Sequence, residues 1–131
     1  MIDQLKHIDA RSAEPLAEAY YMAKGYNVSK PNNLALHYDL IIEKDGDFKT
    51  VNVKVAGLKS KGRPNSWSIN ANIIRRNSLS NPYKVKVLKK PDIYAVWMPN
   101  KKDFVELPSN FFDGQTKGNN KLLPKELRYD I

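Results

Sequence analysis

Apolar and polar positions change period along this chain, and the changes mark its elements. Ala13, Leu16, Ala17, Ala19, Tyr20 and Ala23 recur at helical spacing, so a helix is expected within the first 25 residues. Gly25 suits its C-terminal end. Two starts fit. Ser12 as N-cap leaves Pro15 in the tolerated first turn, whereas a start at Asp9 makes the helix bend at Pro15. Val28 suggests a small strand or extended link, and residues 31–33 (PNN) a turn. Residues 38–42 (YDLII) are apolar and β-branched, as a buried strand requires. Residues 44–47 (KDGD) contain an Asp-Gly reversal, and residues 48–55 then alternate. Val51, Val53 and Val55 fall on one face of that second strand; Thr50, Asn52 and Lys54 fall on the other.

Beyond this hairpin the pattern is less regular. Residues 57–65 (GLKSKGRPN) read as a basic loop, and residues 67–71 as a further strand. Residues 72–81 fit a short helix or an irregular segment. Residues 83–88 have a two-residue period that also suits a loop edge. Residues 92–98 (DIYAVWM) predict a buried strand, residues 99–103 a turn and residues 104–107 a last strand. From Pro108 the chain turns polar and reads as a loose tail docked near Phe111 and Phe112. The order of elements predicts an α+β or α/β fold with one mixed sheet.

At 131 residues the chain is expected to form one domain, with a core over about 10–110 and a polar extension over 111–131. No cysteine is present, which excludes disulfides, thiolate metal sites and a cysteine nucleophile. No run approaches the roughly 18 apolar residues of a membrane span, and the N-terminus lacks the apolar centre of a signal peptide. A soluble, cytoplasmic protein without a membrane partner is expected.

The formal charge of +8 is concentrated in one segment. Ten basic residues and no acid lie between Lys54 and Lys90, while the rest of the chain holds 12 basic and 14 acidic residues. A partner rich in phosphate is the natural counterpart. Lys59, Lys61 and Arg63, in the basic loop that leaves the hairpin, are the foremost phosphate-contact candidates. Arg75 and Arg76 come next, with Lys84 and Lys86, because an arginine pair suits phosphate or guanine edges.

The hairpin carries the candidate chemistry. Its length brings Asp39, Asn52 and Lys54 together, and an acid, a neutral oxygen donor and an ammonium can hold a hard cation beside a phosphate. Asp39 supplies charge, and the Asn52 amide oxygen and Val53 carbonyl extend the ligand set. Lys54 can stabilise charge growing on phosphate or orient the attacking water. Glu14 lies near the start of the helix, with Glu18 one turn on. The two histidines, His7 and His37, lack metal-ligand spacing; His37 could touch phosphate. Trp67, Tyr83 and Tyr94 are candidates for base stacking or, more commonly for strand aromatics, for the core. P-loop, GxSxG and zinc motifs are absent.

The succession of a helix with Glu14, Gly25-Tyr26, Val28, residues 38–42, residues 51–54 (VNVK) and residues 92–96 (DIYAV) resembles the PD-(D/E)xK nuclease superfamily. Within it the layout is similar to the small group I intron-encoded homing endonucleases and, more loosely, to Holliday junction resolvases. The resemblance spans about residues 10–110. It implies a restriction-endonuclease-like core, a central mixed sheet with flanking helices. It also implies Mg²⁺, or alternatively Mn²⁺, as cofactor. Asp39 would be the metal ligand of the first motif, Lys54 the lysine of the second, and Glu14 the helix glutamate. Asn52 departs from the pattern by standing where the family has Glu or Asp and some relatives Gln. The function implied is a metal-dependent endonuclease acting on double-stranded DNA as a homodimer or higher oligomer. A junction resolvase and a non-catalytic nucleic-acid binder on a decayed nuclease fold are the alternatives, with a ribosomal-type RNA binder more distant.

Overall fold

The computed structural model describes residues 8–32, 37–59, 66–70, 74–76, 84–86, 90–113 and 120–129. Its long helix, α1, runs Ala10–Ala23. The Asp9 carboxylate fixes the start: its Oδ1 accepts from the backbone N–H groups of Arg11 and Ser12, each at 3.0 Å. The helix therefore begins at Asp9, and Pro15 lies inside it, where it removes the N–H that would bond the Arg11 carbonyl. The other end closes with Gly25 at φ +90°, a conformation that disfavours any Cβ. Gly25 N–H bonds the Met22 carbonyl at 3.0 Å and Tyr26 N–H bonds the Tyr21 carbonyl at 3.1 Å. Tyr26 then packs edge-on against Tyr21, the apolar contact that accompanies this Schellman arrangement.

The described strands are β1 (Asn27–Ser29), β2 (Leu40–Lys44), β3 (Asp47–Val55), β4 (Gly57–Lys59), β5 (Ser66–Asn70), β6 (Ile74–Arg76), β7 (Lys84–Lys86), β8 (Ile93–Met98), β9 (Asp103–Pro108) and β10 (Asn120–Leu122). A short helix, α2 (Lys125–Arg128), follows. Five strands form a mixed sheet in the order β1-β2-β3-β8-β9, in which only the β3–β8 pairing is parallel. The β2–β3 turn is the two-residue kind expected of Asp-Gly, with Asp45 at φ 54° and Gly46 at φ 83°. Asp92 fixes the β3–β8 register. Its Oδ2 accepts from Thr50 N–H at 2.8 Å, and its own N–H donates to the Thr50 carbonyl at 3.0 Å.

Period-two alternation gives the sheet two apolar faces. Ala17 and Tyr21 of α1 cover Leu40, Ile42, Val51, Ala95, Trp97 and Phe104, with Val53 and Val55 partly buried beside them. Tyr94, Val96, Met98 and Leu107 face the other way, toward Trp67, Ile69, Phe112 and Leu123. Each fully buried aliphatic or aromatic side chain contributes about 1.5–3 kcal/mol. The mixed α+β sheet is the expected one. Four expectations are corrected. Residues 57–59, expected in the basic loop, form β4. The strand near residue 67 leaves the main sheet and forms a separate three-stranded sheet, β10-β5-β4, over its second face. Residues 74–76 and 84–86 pair as a two-stranded ribbon, so neither the short helix nor the loop edge is observed at these positions. The described residues of the C-terminal stretch are no loose tail: β10 pairs with β5, and Leu123 is fully buried against this face of the sheet.

Candidate active site

Register decides what the second half of β3 can do. β2 pairs with β3 only as far as Leu40 opposite Val51, so residues 52–55 of β3 extend past the end of β2. Even-numbered residues of β3 turn their backbone groups to β8, as the Thr50 carbonyl shows by accepting from Asp92. Odd-numbered residues turn theirs to the side that β2 vacates.

Asp39 fills that gap. Its N–H donates to the Val51 carbonyl at 2.8 Å, and its carboxylate Oδ2 accepts from Val53 N–H at 2.7 Å. The acid thus straddles Asn52 and takes the place of a missing strand partner. A short charge-assisted bond holds it there. The Val53 carbonyl shares the edge of Val53 N–H, because a strand residue turns both groups the same way.

Asn52 is 7% exposed and sits on the face opposite α1. Its Nδ2 donates to the His37 carbonyl at 2.9 Å, which fixes the amide's orientation. Its Oδ1 is buried without a hydrogen-bond partner among the described residues. Such an orphaned acceptor costs about 1–3 kcal/mol, and native interiors hold few of them. Lys54 lies two residues further on the same face, half-buried, opposite Val96 of β8.

Glu14 approaches from α1. Burial and the negative charge of Asp39 push its carboxyl above the ordinary glutamate range, partly offset by the Lys30 ammonium. Lys30 is tied to Glu18 at 2.9 Å. Asp39 thus lies within electrostatic reach of Glu14 on one side and, through its bond to Val53 N–H, flanks Asn52 on the other. Among the described residues no three His, Asp or Glu side chains group as a metal site.

The sequence matches the family described as PD-(D/E)XK endonuclease over residues 5–126. The chain belongs to that family. Enzymes of this kind typically use divalent metals. No curated protein sequence matches this endonuclease. Among solved structures it is similar to a bacterial homing endonuclease, I-Ssp6803I, with a TM-score of 0.59 and 20% identity; the match covers 86% of this chain and 74% of that one. At that identity the likeness shows a shared fold.

The endonuclease's structure places the remaining candidates unevenly. Trp67 and Tyr94 are core residues. His37 contributes its backbone carbonyl to Asn52. Lys59 ends β4, while Arg75, Arg76, Lys84 and Lys86 lie on the ribbon. His7, Lys61, Arg63 and Tyr83 lie outside the described residues. Lys30 and the His37 carbonyl are the partners that sequence reading missed. Neither carries a local signal, because each acts through tertiary placement alone. No described helix is long and apolar enough to cross a membrane.

Proposed function

We propose that this chain is a divalent-metal-dependent endonuclease that hydrolyses phosphodiester bonds in double-stranded DNA, of homing-endonuclease type. The observation that carries this reading is the buried Asn52 Oδ1, without a partner among the described residues, beside a carboxylate clipped to the next residue's N–H. A residue that costs the fold stability while its other end is held in place is set for a ligand. The donor chemistry fits a hard cation: Asp39 and Glu14 carboxylates, the Asn52 amide oxygen and the Val53 carbonyl would hold Mg²⁺ or Mn²⁺. When bound, the ion supplies Lewis-acid neutralisation of phosphate and a more acidic water.

The chain's own residues do the rest. Asp39 is fixed by Val53 N–H, so little reorganisation is needed at the moment of reaction. Lys54 offers its ammonium to the charge that grows on the non-bridging phosphate oxygens, or orients the attacking water. Glu14, whose carboxyl is held above the ordinary glutamate range by burial and by the charge of Asp39, would be the second carboxylate offered to the cation. Two such centres are needed to cut both strands, so the working unit is a homodimer or higher oligomer. Sedimentation of the protein with and without duplex DNA tests that point.

Asn52 favours a second reading, a DNA-binding protein without catalysis, because the amide removes one negative charge from the donor set. Plasmid cleavage with Mg²⁺ and with EDTA separates the two. Cutting that requires the metal and disappears in Asp39→Asn supports the enzyme. A silent parent that Asn52→Glu activates supports the binder. A four-way junction competing far better than linear duplex would reassign the substrate.

A further inference from the structure

Every backbone N–H and C=O of a strand needs a partner in the sheet, in water or in a ligand. On its β8 side, β3 is paired to its end, and Ala56 N–H just beyond it donates to the Trp97 carbonyl at 3.0 Å. On the other side β2 stops opposite Val51, and Asp39 takes only Val53 N–H. The Val53 carbonyl and both backbone groups of Val55 therefore stand on an open edge, with no strand partner among the described residues. Natural sheets usually keep such an edge covered, twisted or charged. This one is short and firmly held. The side chains of Val53 and Val55 pack into the cluster beneath α1, and Ala56 is buried. It also continues directly from the residues that would hold the cation.

From this we infer that Val55 N–H is a substrate-positioning donor, which bonds a phosphate oxygen next to the scissile phosphate on the DNA strand being cut. The inference rests on the DNA-cleaving reading above and deepens it. Residues 53 and 55 are two strand positions apart, about 6.6 Å. That separation is close to the one between successive phosphates of a DNA strand. A strand whose scissile phosphate lies at the Asp39–Val53 end thus brings a flanking phosphate to Val55. Backbone N–H groups are regular phosphate contacts, and they set register without reading sequence. This donor carries no charge, so it places the strand without competing with the Lys54 ammonium or the cation for the scissile phosphate. The other occupant that suits an open edge is a strand from a second protein chain. The edge is too short for that, because Val55 alone offers a donor and an acceptor together. At Val53 the donor is already taken by Asp39.

The test uses the full chain and one duplex selected from a random-sequence pool, with Ca²⁺ in place of Mg²⁺ for binding. Cutting that duplex in Mg²⁺ locates the scissile bond. Each phosphate around the cut is then replaced in turn by an uncharged methylphosphonate. Val55→Pro removes the N–H at an outward edge position, where a proline ring is tolerated. A second chain carries the α-hydroxy acid of valine at position 55, an ester in place of the amide, introduced with a chemically acylated suppressor tRNA. The inference predicts that neutralising one phosphate beside the scissile one costs the parent about tenfold or more in affinity. Both altered chains lose a similar factor on the unmodified duplex and nothing further at that phosphate, while they keep the parent's losses at the other contacted phosphates. Because the donor is uncharged, their slope of log affinity against log salt equals the parent's. If Val55→Pro fails to fold by circular dichroism, the ester chain decides the matter. Altered chains that bind and cut like the parent, or whose loss adds to that of the methylphosphonate at every phosphate, overturn the edge assignment and leave the nuclease reading intact. Altered sedimentation with an unchanged phosphate pattern gives the edge to a second copy and overturns it as well. A wild type that neither binds nor cuts duplex DNA overturns both.

Discussion

Replacing Asn52 by leucine separates a residue kept for the fold from one kept for a ligand. Leucine has the same number of side-chain heavy atoms but neither donor nor acceptor. The substitution removes the Nδ2 bond to the His37 carbonyl, a loss of about 0.5–1.5 kcal/mol. The freed carbonyl belongs to a half-buried residue within reach of water. The same substitution removes the buried Oδ1, whose lack of a partner costs about 1–3 kcal/mol. It also places apolar atoms at a position only 7% exposed, against Tyr94 opposite in register. In EDTA the balance runs from no change to a gain of about 2 kcal/mol. At about 4 °C per kcal/mol for a chain of this size, the melting temperature stays level or rises by up to about 8 °C. In Mg²⁺ the order reverses. The parent gains about 2.7 kcal/mol at a metal concentration 100 times its dissociation constant, and the leucine variant gains far less. Thermal melts of both proteins in EDTA and across a Mg²⁺ series provide the assay. A leucine variant that loses more than about 2 kcal/mol in EDTA would show the amide to be a structural tie. One that keeps the parent's Mg²⁺ response would show that the amide oxygen holds no cation.

Other expected outcomes follow from the same geometry. Asp39→Ala loses the charge-assisted bond to Val53 N–H and about 1.5–3 kcal/mol of stability in urea unfolding, besides its metal response. Glu14→Gln acts with the opposite sign: because the folded-state carboxyl titrates above its ordinary value, ionised Glu14 costs the metal-free fold stability as pH rises through that raised value. The glutamine variant should therefore melt higher than the parent at neutral pH in EDTA. The difference should vanish below the ordinary glutamate range. Lys54→Ala should slow cleavage by about 10²–10³-fold while duplex affinity, read by fluorescence anisotropy, changes little. Gly25→Ala forces a Cβ into the left-handed region at φ +90° and should cost about 1–2 kcal/mol in the same melts, with cleavage unaffected.

The parts of this fold that were legible in the sequence are those with short-range causes. Alternating valines at 51, 53 and 55 and the Asp45-Gly46 reversal specify the hairpin locally, and both appear as expected. Gly25 closes α1 for the same reason. The choice between Ser12 and Asp9 as helix start was not settled, because two good capping side chains stand three residues apart. The Asp9 carboxylate also takes the Ser12 hydroxyl as a donor, at 3.1 Å. The small sheet escaped notice because its strands are short and its pairing joins Asn70 to Asn120 across a long stretch of chain. The β6–β7 ribbon escaped because three-residue strands show no period that tells them from a helix turn. At the site, Asp39, Asn52 and Lys54 could be grouped from the hairpin alone. The Asp39 clip onto Val53 N–H depends on β2 ending at Leu40, and the proximity of Glu14 to Asp39 depends on how α1 packs on the sheet. Both are tertiary facts without a local pattern.

Cleavage of supercoiled plasmid by the purified protein in Mg²⁺, beside Asp39→Asn and an EDTA control, tests the central claim most directly. Nicked and linear products that require the metal and vanish in the variant are the predicted result. Products that persist unchanged in EDTA or in Asp39→Asn, or an inert parent that binds the same DNA, would contradict it.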